Sequence, residues 1–265
     1  MIRIPFTKLH GDENDFLLTW AKAAPVERQP HIARRICERH TGVGADGWML
    51  FWVENGLLRT RLFNSDGSEP EMSGNGTRCA AAFALHTGVA AAPAITIATA
   101  AGHKHLKLIS RTALRFEFQM DMGLPAVEEL HAKLLLNGAE YDATILNVGN
   151  PQCAIFVKNL ADTWRMAGAE AERHPRFPDR SNVSFVRVLD RHTIDVVFYE
   201  RGAGETRSSG TGSTGAGAAA ILRGEVDSPV EIRTPAGSLS LRWDETVLLT
   251  GPAEIIGEGT FFLEY

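Results

Sequence analysis

The chain repeats itself at about half its length. Ser73-Gly-Asn-Gly-Thr-Arg-Cys-Ala-Ala-Ala-Phe-Ala84 lies over Ser209-Gly-Thr-Gly-Ser-Thr-Gly-Ala-Gly-Ala-Ala-Ala220 at a displacement of 136 residues (209 − 73). The same displacement sets Asn14 over Asn150, Phe63 over Tyr199 and Glu69 over Glu205, while Thr99-Ala-Ala-Gly102 matches Thr234-Pro-Ala-Gly237 one residue closer. A repeat of this length is the size of a whole domain, so the fold must be two related halves rather than one continuous core. The division falls near Gln119 to Asp121, giving an N-terminal domain over 1–119 and a C-terminal domain from 120.

Each half reads alike: a strand, a polar glycine-containing turn, a Ser-Gly-x-Gly segment and a helix of small residues. Leu57 to Phe63 and Thr193 to Tyr199 alternate apolar and polar residues as half-buried strands do. Helices begin near Gly74 and Gly210 and end at Gly88 and Gly224, glycine being favoured just past a helix end. Both helices are Ala, Gly and apolar residues all round, so each is expected to be buried on every side, at the centre of its own domain and wrapped by strands. Strands are also expected at Trp48–Val53, Ala94–Ala98, Leu114–Met120, Cys153–Val157, Val183–Val188, Val230–Arg233 and Val247–Thr250. An amphipathic helix is expected over Val26–Arg39, with Ile32, Ala33, Ile36 and Cys37 on one face, and a loop over Arg173–Asn182.

Composition narrows the function. With 27 Lys+Arg against 32 Asp+Glu and a net charge of −5, the chain has neither the basic surface that nucleic acid needs nor a charge run suited to a membrane. No stretch of 18 apolar residues occurs, and Met-Ile-Arg-Ile-Pro-Phe-Thr-Lys carries no signal-peptide core. Three widely spaced cysteines, Cys37, Cys79 and Cys153, give neither a disulfide framework nor a metal knuckle, and point to the reducing cytoplasm. Cys79 and Cys153 read as buried structural residues. His103 and His105 have strand-like spacing but no further ligand cluster, so no metal site is expected. The expected partner is a small molecule, with no nucleic acid and no membrane; homodimerisation is left open.

A helix N-terminus presents N–H groups without intrahelical partners and about half a positive charge, and so binds carboxylate or phosphate. Two such ends related by the repeat, converging on one cleft, would put Ser73 and Ser209 on opposite sides of a bound molecule. That suits an α-amino acid, its carboxylate on the helix ends, one side chain removing the α-proton and the other returning it. Taken singly, each serine is an ordinary N-cap; the duplication and the Asn-rich, charged residues around it favour a site.

Those residues carry a resemblance. His10-Gly-Asp-Glu-Asn-Asp-Phe16, His40-Thr-Gly-Val-Gly-Ala-Asp-Gly47, Phe63-Asn-Ser-Asp-Gly-Ser68, Ser73-Gly-Asn-Gly-Thr-Arg-Cys79, Asn150-Pro-Gln-Cys153, Asn182-Val-Ser-Phe185, Glu200-Arg-Gly-Ala-Gly-Glu-Thr206 and Leu249-Thr-Gly-Pro-Ala-Glu254 resemble, in order, the motifs of the diaminopimelate epimerase family. The resemblance implies an α/β (α+β) fold of two pseudo-symmetric domains, each a curved, mostly antiparallel sheet around a central helix. It implies that the C-terminal domain runs over 120–260 and that residues 261–265 return to the first domain. The implied activity is cofactor-independent, PLP-free inversion of LL- to meso-diaminopimelate in lysine and peptidoglycan precursor synthesis. Asn14, Asn64, Asn150, Asn182 and Arg201 match positions that hold the distal amino-acid end of the substrate, with Glu200 near them. Gly74, Asn75, Gly210 and Thr211 match the helix ends that cradle the reacting carboxylate.

The departures lie in the chemistry. The family's two proton-transferring cysteines are here Ser73 and Ser209, and Gln152 stands where a histidine is expected beside the reacting centre. A thiol ionises near 8.5, whereas an alcohol lies much nearer water, far above it, so serines need help, for which Glu200 is the candidate. The open readings are a serine epimerase with such help, and a related amino-acid racemase, isomerase or tautomerase on the same scaffold. A diaminopimelate binder without catalysis, and a cysteine-to-serine form that traps ligand, complete the set; Gln152 argues against the last. From another class, Gly210-Thr-Gly-Ser-Thr-Gly215 matches G-x-G-x-x-G and would suggest a dinucleotide-binding oxidoreductase with Glu231 about twenty residues on. Its placement is poor, because residues 200–209 separate the first glycine from the preceding strand, and Gly42-Val-Gly-Ala-Asp-Gly47 follows a helix.

Overall fold

The structure, a computed structural model, describes residues 1–161 and 163–264. It divides into two compact units, one made of Met1–Met120 with the chain from Gly251 onward, the other of Asp121–Thr250.

The first unit contains β1 (Ile2–Gly11), β2 (Asn14–Trp20), α1 (Gln29–Cys37), β3 (Gly47–Glu54), β4 (Leu57–Asn64), α2 (Gly74–His86), β5 (Ala94–Thr99), β6 (Gly102–Thr112) and most of β7 (Arg115–Gly123). The second contains β8 (Ala126–Leu136), β9 (Ala139–Asn147), β10 (Pro151–Phe156), α3 (Trp164–Glu172), β11 (Asn182–Asp190), β12 (Thr193–Glu200), β13 (Gly204–Thr206), α4 (Gly210–Leu222), β14 (Val230–Thr234) and β15 (Gly237–Trp243). A last strand, β16 (Val247–Leu263), begins in the second unit and ends in the first.

The pairing patterns of the two units are the same. In the first, β2–β3 is parallel, β3–β4 antiparallel, β4–β5 parallel and β5–β6 antiparallel. In the second, β10–β11, β11–β12, β12–β14 and β14–β15 follow the same sequence of directions. Each sheet wraps a central helix. In α2 every residue from Gly74 to Ala84 is buried, and in α4 every residue from Gly210 to Ala220. Helices this apolar on all sides leave no face for water, so sheet must surround them. Both start on a serine whose Oγ accepts the N–H three residues on, at 3.1 Å from Gly76 and 3.0 Å from Gly212. Both are followed by a glycine in the left-handed region, Gly88 at φ 72° and Gly224 at φ 71°.

The second layer is helical too. α1 lays Ile32, Ala33, Ile36 and Cys37 against Leu17, Trp48 and Phe63, and α3 lays Trp164, Ala167 and Ala171 against Leu134, Ile155 and Phe185. α1 is shorter than the Val26–Arg39 span read from the pattern. Arg28 at its N-cap is left-handed, at φ 61°, and Glu38 at its C-cap is extended, so the helical backbone ends within that span. Arg173–Asn182 is turn as expected up to Ser181, but Asn182 already begins β11. The C-terminal return is longer than the sequence reading gave. β16 pairs with β1 from Glu254↔His10 to Leu263↔Ile2, so residues 254–260 belong with the first unit as well as 261–263. Tyr265, the last residue of that expected return, lies outside the described residues.

Candidate active site

Two half-sites are built on the two serine caps. In the first, Asn14 sits where β2 begins and is fixed from below: its Nδ2 donates to Asp46 Oδ2 at 2.7 Å, and its Oδ1 accepts from Asn75 Nδ2 at 3.2 Å. Asp46 is held in turn. Arg39 bridges it to Asp15, at 2.8 Å to Asp46 Oδ1 and 2.9 Å to Asp15 Oδ1, and Lys8 stands 3.0 Å from Asp15 Oδ2. Burial pushes the Asp15 carboxyl up, but the bonds from Arg39 and Lys8 outweigh it and hold the group below its usual range. Beneath α2, the fully buried Arg78 ties Asn75 Oδ1 (2.7 Å), Asp12 (3.3 Å) and the Pro252 carbonyl (3.0 Å) together. Asn64 ends β4 and donates to Ser68 Oγ at 3.0 Å. Ser73 borders a cavity of about 240 Å³ whose wall includes Thr77, Arg61, Glu69 and Glu71. Arg61 grips both Glu69 oxygens at 2.8 Å and holds that carboxyl below its usual range.

In the second half-site the candidate residues form three short hydrogen-bonded groups around the start of α4. Ser209 Oγ donates to Glu200 Oε1 at 2.7 Å while accepting from Gly212, and Thr206 Oγ1 donates to the other carboxylate oxygen, Oε2, at 2.7 Å. Gln152 Nε2 donates to Asn150 Oδ1 at 2.7 Å, and Asn150 Nδ2 donates to Thr211 Oγ1 at 3.2 Å. Asn182 donates to the Pro151 carbonyl at 3.0 Å and accepts the Arg201 N–H at 3.0 Å. Gln152 is 1% exposed, and its Oε1 has no hydrogen-bond partner among the described residues.

Three contributors were not singled out from the sequence. Glu172, 2% exposed at the end of α3, accepts the Gly202 N–H at 3.2 Å and so pins the turn that carries Glu200 and Arg201. Thr206 and Asp46 lie inside quoted motifs but had no role assigned, because their partners, Glu200 and Asn14, meet them only once the strands pair. The cysteines take no part. Cys79 and Cys153 are fully buried, and burial pushes both thiols up to about 12, so neither is a thiolate near neutrality. Among the described residues, no three His, Cys, Asp or Glu side chains gather where they could hold a metal ion, and no helix is long and apolar enough to cross a membrane. The Gly210–Gly215 segment is the buried first turn of α4, with β13 and its loop between it and the core of β12, not the strand-to-helix turn that cradles a dinucleotide.

Two like units, each with a serine-capped helix inside its own sheet, define a duplicated epimerase fold. Solved structures share it: a hydroxyproline epimerase from Agrobacterium vitis has a TM-score of 0.76 at 14% identity, over 100% of this chain and 94% of that one. A Bacillus anthracis phenazine biosynthesis protein of the PhzF family has a TM-score of 0.75 at 16% identity, over 99% and 100%. The chain itself belongs to the diaminopimelate epimerase family, whose model matches residues 6–127 and 144–256. Diaminopimelate epimerase of Moorella thermoacetica is 38% identical over 277 residues, covering 98% of this chain and 99% of the relative, and that of Pelotomaculum thermopropionicum is 38% identical over 274 residues, covering 97% and 98%.

Proposed function

We propose that the chain is a cofactor-independent isomerase that inverts the α-carbon of LL-diaminopimelate to give the meso form, with Ser73 and Ser209 as the two proton-transferring residues. Family membership supports the reaction, and the hydrogen bond from Ser209 to Glu200 carries the assignment of chemistry to this chain. An alcohol ionises far above the roughly 8.5 of a thiol, and each unit of that gap is worth about 1.4 kcal/mol. A helix N-terminus returns at most about 2 kcal/mol. A free alkoxide is therefore not the base. Ser209 instead passes its proton to the Glu200 carboxylate as it takes the α-proton, so charge never rests on the serine oxygen.

In this reading the first N–H groups of α2 and α4, at Gly74, Asn75, Gly210 and Thr211, take the reacting carboxylate, where the helix charge favours the negative enolate-like state. Asn14, Asn64, Asn150, Asn182 and Arg201 take the distal amino-acid end. Inversion requires Ser73 and Ser209 to act on opposite faces of the α-carbon. The three buried cysteines are compatible with work in the reducing cytoplasm.

The test is proton NMR of LL-diaminopimelate with the protein in heavy water, following deuterium at the α-carbon and growth of the meso form. Both are expected, and faster with Ser73→Cys/Ser209→Cys. Binding without exchange or inversion, in the chain as it stands, would overturn the reading in favour of a binder.

A further inference from the structure

The repeat is symmetric in its serines and unsymmetrical in what receives their protons. Glu200 ends β12 and accepts the Ser209 hydroxyl at 2.7 Å; the residue 136 places earlier is Asn64, an amide that bonds Ser68 instead. Ser73 Oγ accepts from the Gly76 N–H, but among the described residues its own hydroxyl proton meets no acceptor. Of the carboxylates in the adjoining cavity wall, Glu69 is held on both oxygens by Arg61, and neither Glu69 nor Glu71 bonds Ser73. Resting on the function proposed above, we infer that the two faces work at unequal speed: Ser209 exchanges the α-proton of one stereoisomer through Glu200, and inversion waits on Ser73.

On the Ser209 face the substrate C–H bond breaks, its electron pair stays on the α-carbon, a new O–H bond forms at Ser209 Oγ, and the former hydroxyl proton moves to Glu200 Oε1. The new Ser209 hydroxyl carries the substrate's own proton, so deuterium enters once that hydroxyl and the Glu200 acid have both exchanged with solvent; running the step backwards then returns deuterium to the same face, with retention. Inversion needs a proton from the other face, where the Ser73 hydroxyl must give one up without a neighbour to restore it. General acid–base assistance is worth roughly 10²–10⁴ in rate, which sets the scale of the imbalance.

LL- and meso-diaminopimelate are each incubated with the full chain in heavy water, reading α-deuterium by NMR and configuration by chiral chromatography, with calorimetry to record binding. One isomer is expected to gain deuterium at least ten times faster than it inverts, whereas the other exchanges no faster than it inverts. Ser73→Ala should keep that rapid exchange and lose inversion. Glu200→Gln should lose it and Glu200→Asp recover part, a rescue that a purely structural role would not give. Ser73→Cys should bring inversion up towards exchange, and Ser209→Cys should not. Equal exchange from both isomers, exchange surviving Glu200→Gln, or loss of exchange in a folded Ser73→Ala protein would overturn the inference, as would binding with no exchange at all. Absence of binding would overturn the proposed function itself, and the inference with it.

Discussion

The N-terminal and C-terminal helix ends hold the same backbone geometry by different side-chain means. Around α4, polar side chains bond directly in two sets, Gln152 to Asn150 to Thr211, and Ser209 and Thr206 to Glu200, whose one carboxylate takes two hydroxyls. Around α2, the asparagine is instead braced by charge: Asn14 rests on Asp46, Arg39, Asp15 and Lys8, and Asn75 on Arg78 and Asp12. Even the shared contact is reversed, Asn75 donating to Asn14 in one half and Asn150 donating to Thr211 in the other. Duplication preserved the cap that orders the backbone, and the halves diverged in the groups that move protons and those that only hold position.

The largest effect should separate the halves by chemistry. Glu200→Gln is expected to slow α-proton exchange on the Ser209 face by roughly 10²–10⁴ while leaving substrate binding largely in place; unchanged exchange would reduce the second half-site to a cap and erase the contrast. Next comes packing at equivalent helix positions. A Cβ on Gly212 would stand 2.7 Å from the buried Phe198 ring and 2.9 Å from Ser209 Oγ, whereas one on Gly76 meets first the mobile end of Met49, at 2.9 Å. Gly212→Ala should therefore cost about 1–3 kcal/mol in urea unfolding. Gly76→Ala should lie within about 1 kcal/mol of the parent, since the helix gain from alanine offsets the squeeze. Equal losses would mean the two helices are packed alike.

Acid should sharpen the charge difference. Asp15 is held below its ordinary value of 3.8, so its contribution to stability is complete above that value and is lost as pH falls through the lower, folded-state value. The first unit is expected to lose stability below about pH 4, and Asp15→Asn, at a cost of about 1–3 kcal/mol at neutral pH, should flatten that dependence. A melting series from pH 2 to 7 checks it; an unaltered slope in the variant would remove Asp15 from the account. The smallest effect belongs to the exposed ion pairs of the repeated glutamates, Arg61–Glu69 and Arg165–Glu205, whose arginines stand at unrelated positions. Arg165→Ala and Arg61→Ala should each cost less than about 1 kcal/mol in urea unfolding, since both guanidinium groups are exposed ion-pair partners lying over a ring, Arg165 at 4.8 Å from Trp164 and Arg61 at 5.0 Å from Phe63.

What could be read in advance was local or repeated. α2 and α4 announced themselves by a capping serine, small apolar residues on all sides and a terminal glycine, signals contained within some fifteen residues. β8 was missed because its pairing with β9 slips at Val127/Glu129 and again at Glu129/Ala132, which breaks the alternation a strand should show. β1 was missed for a related reason, Pro5 interrupting an otherwise alternating run. Serines 73 and 209 and the asparagines stood out because they recur. Glu172 did not, since nothing near it in the chain reveals that it will meet Gly202, and the Arg39 link between Asp15 and Asp46 exists only once β2 lies beside β3.

The long last strand also sets an order of assembly. Residues 121–250 form an uninterrupted unit, whereas β1 must wait for its partner residues 254–263. On the ribosome the usual order, N-terminal domain first, is therefore reversed: the second half can close while the first still has an open seam along β1. That unpaired edge is a sticky surface until residues 254–263 have been made, so pauses in translation ahead of that segment are where this chain is exposed to misassembly.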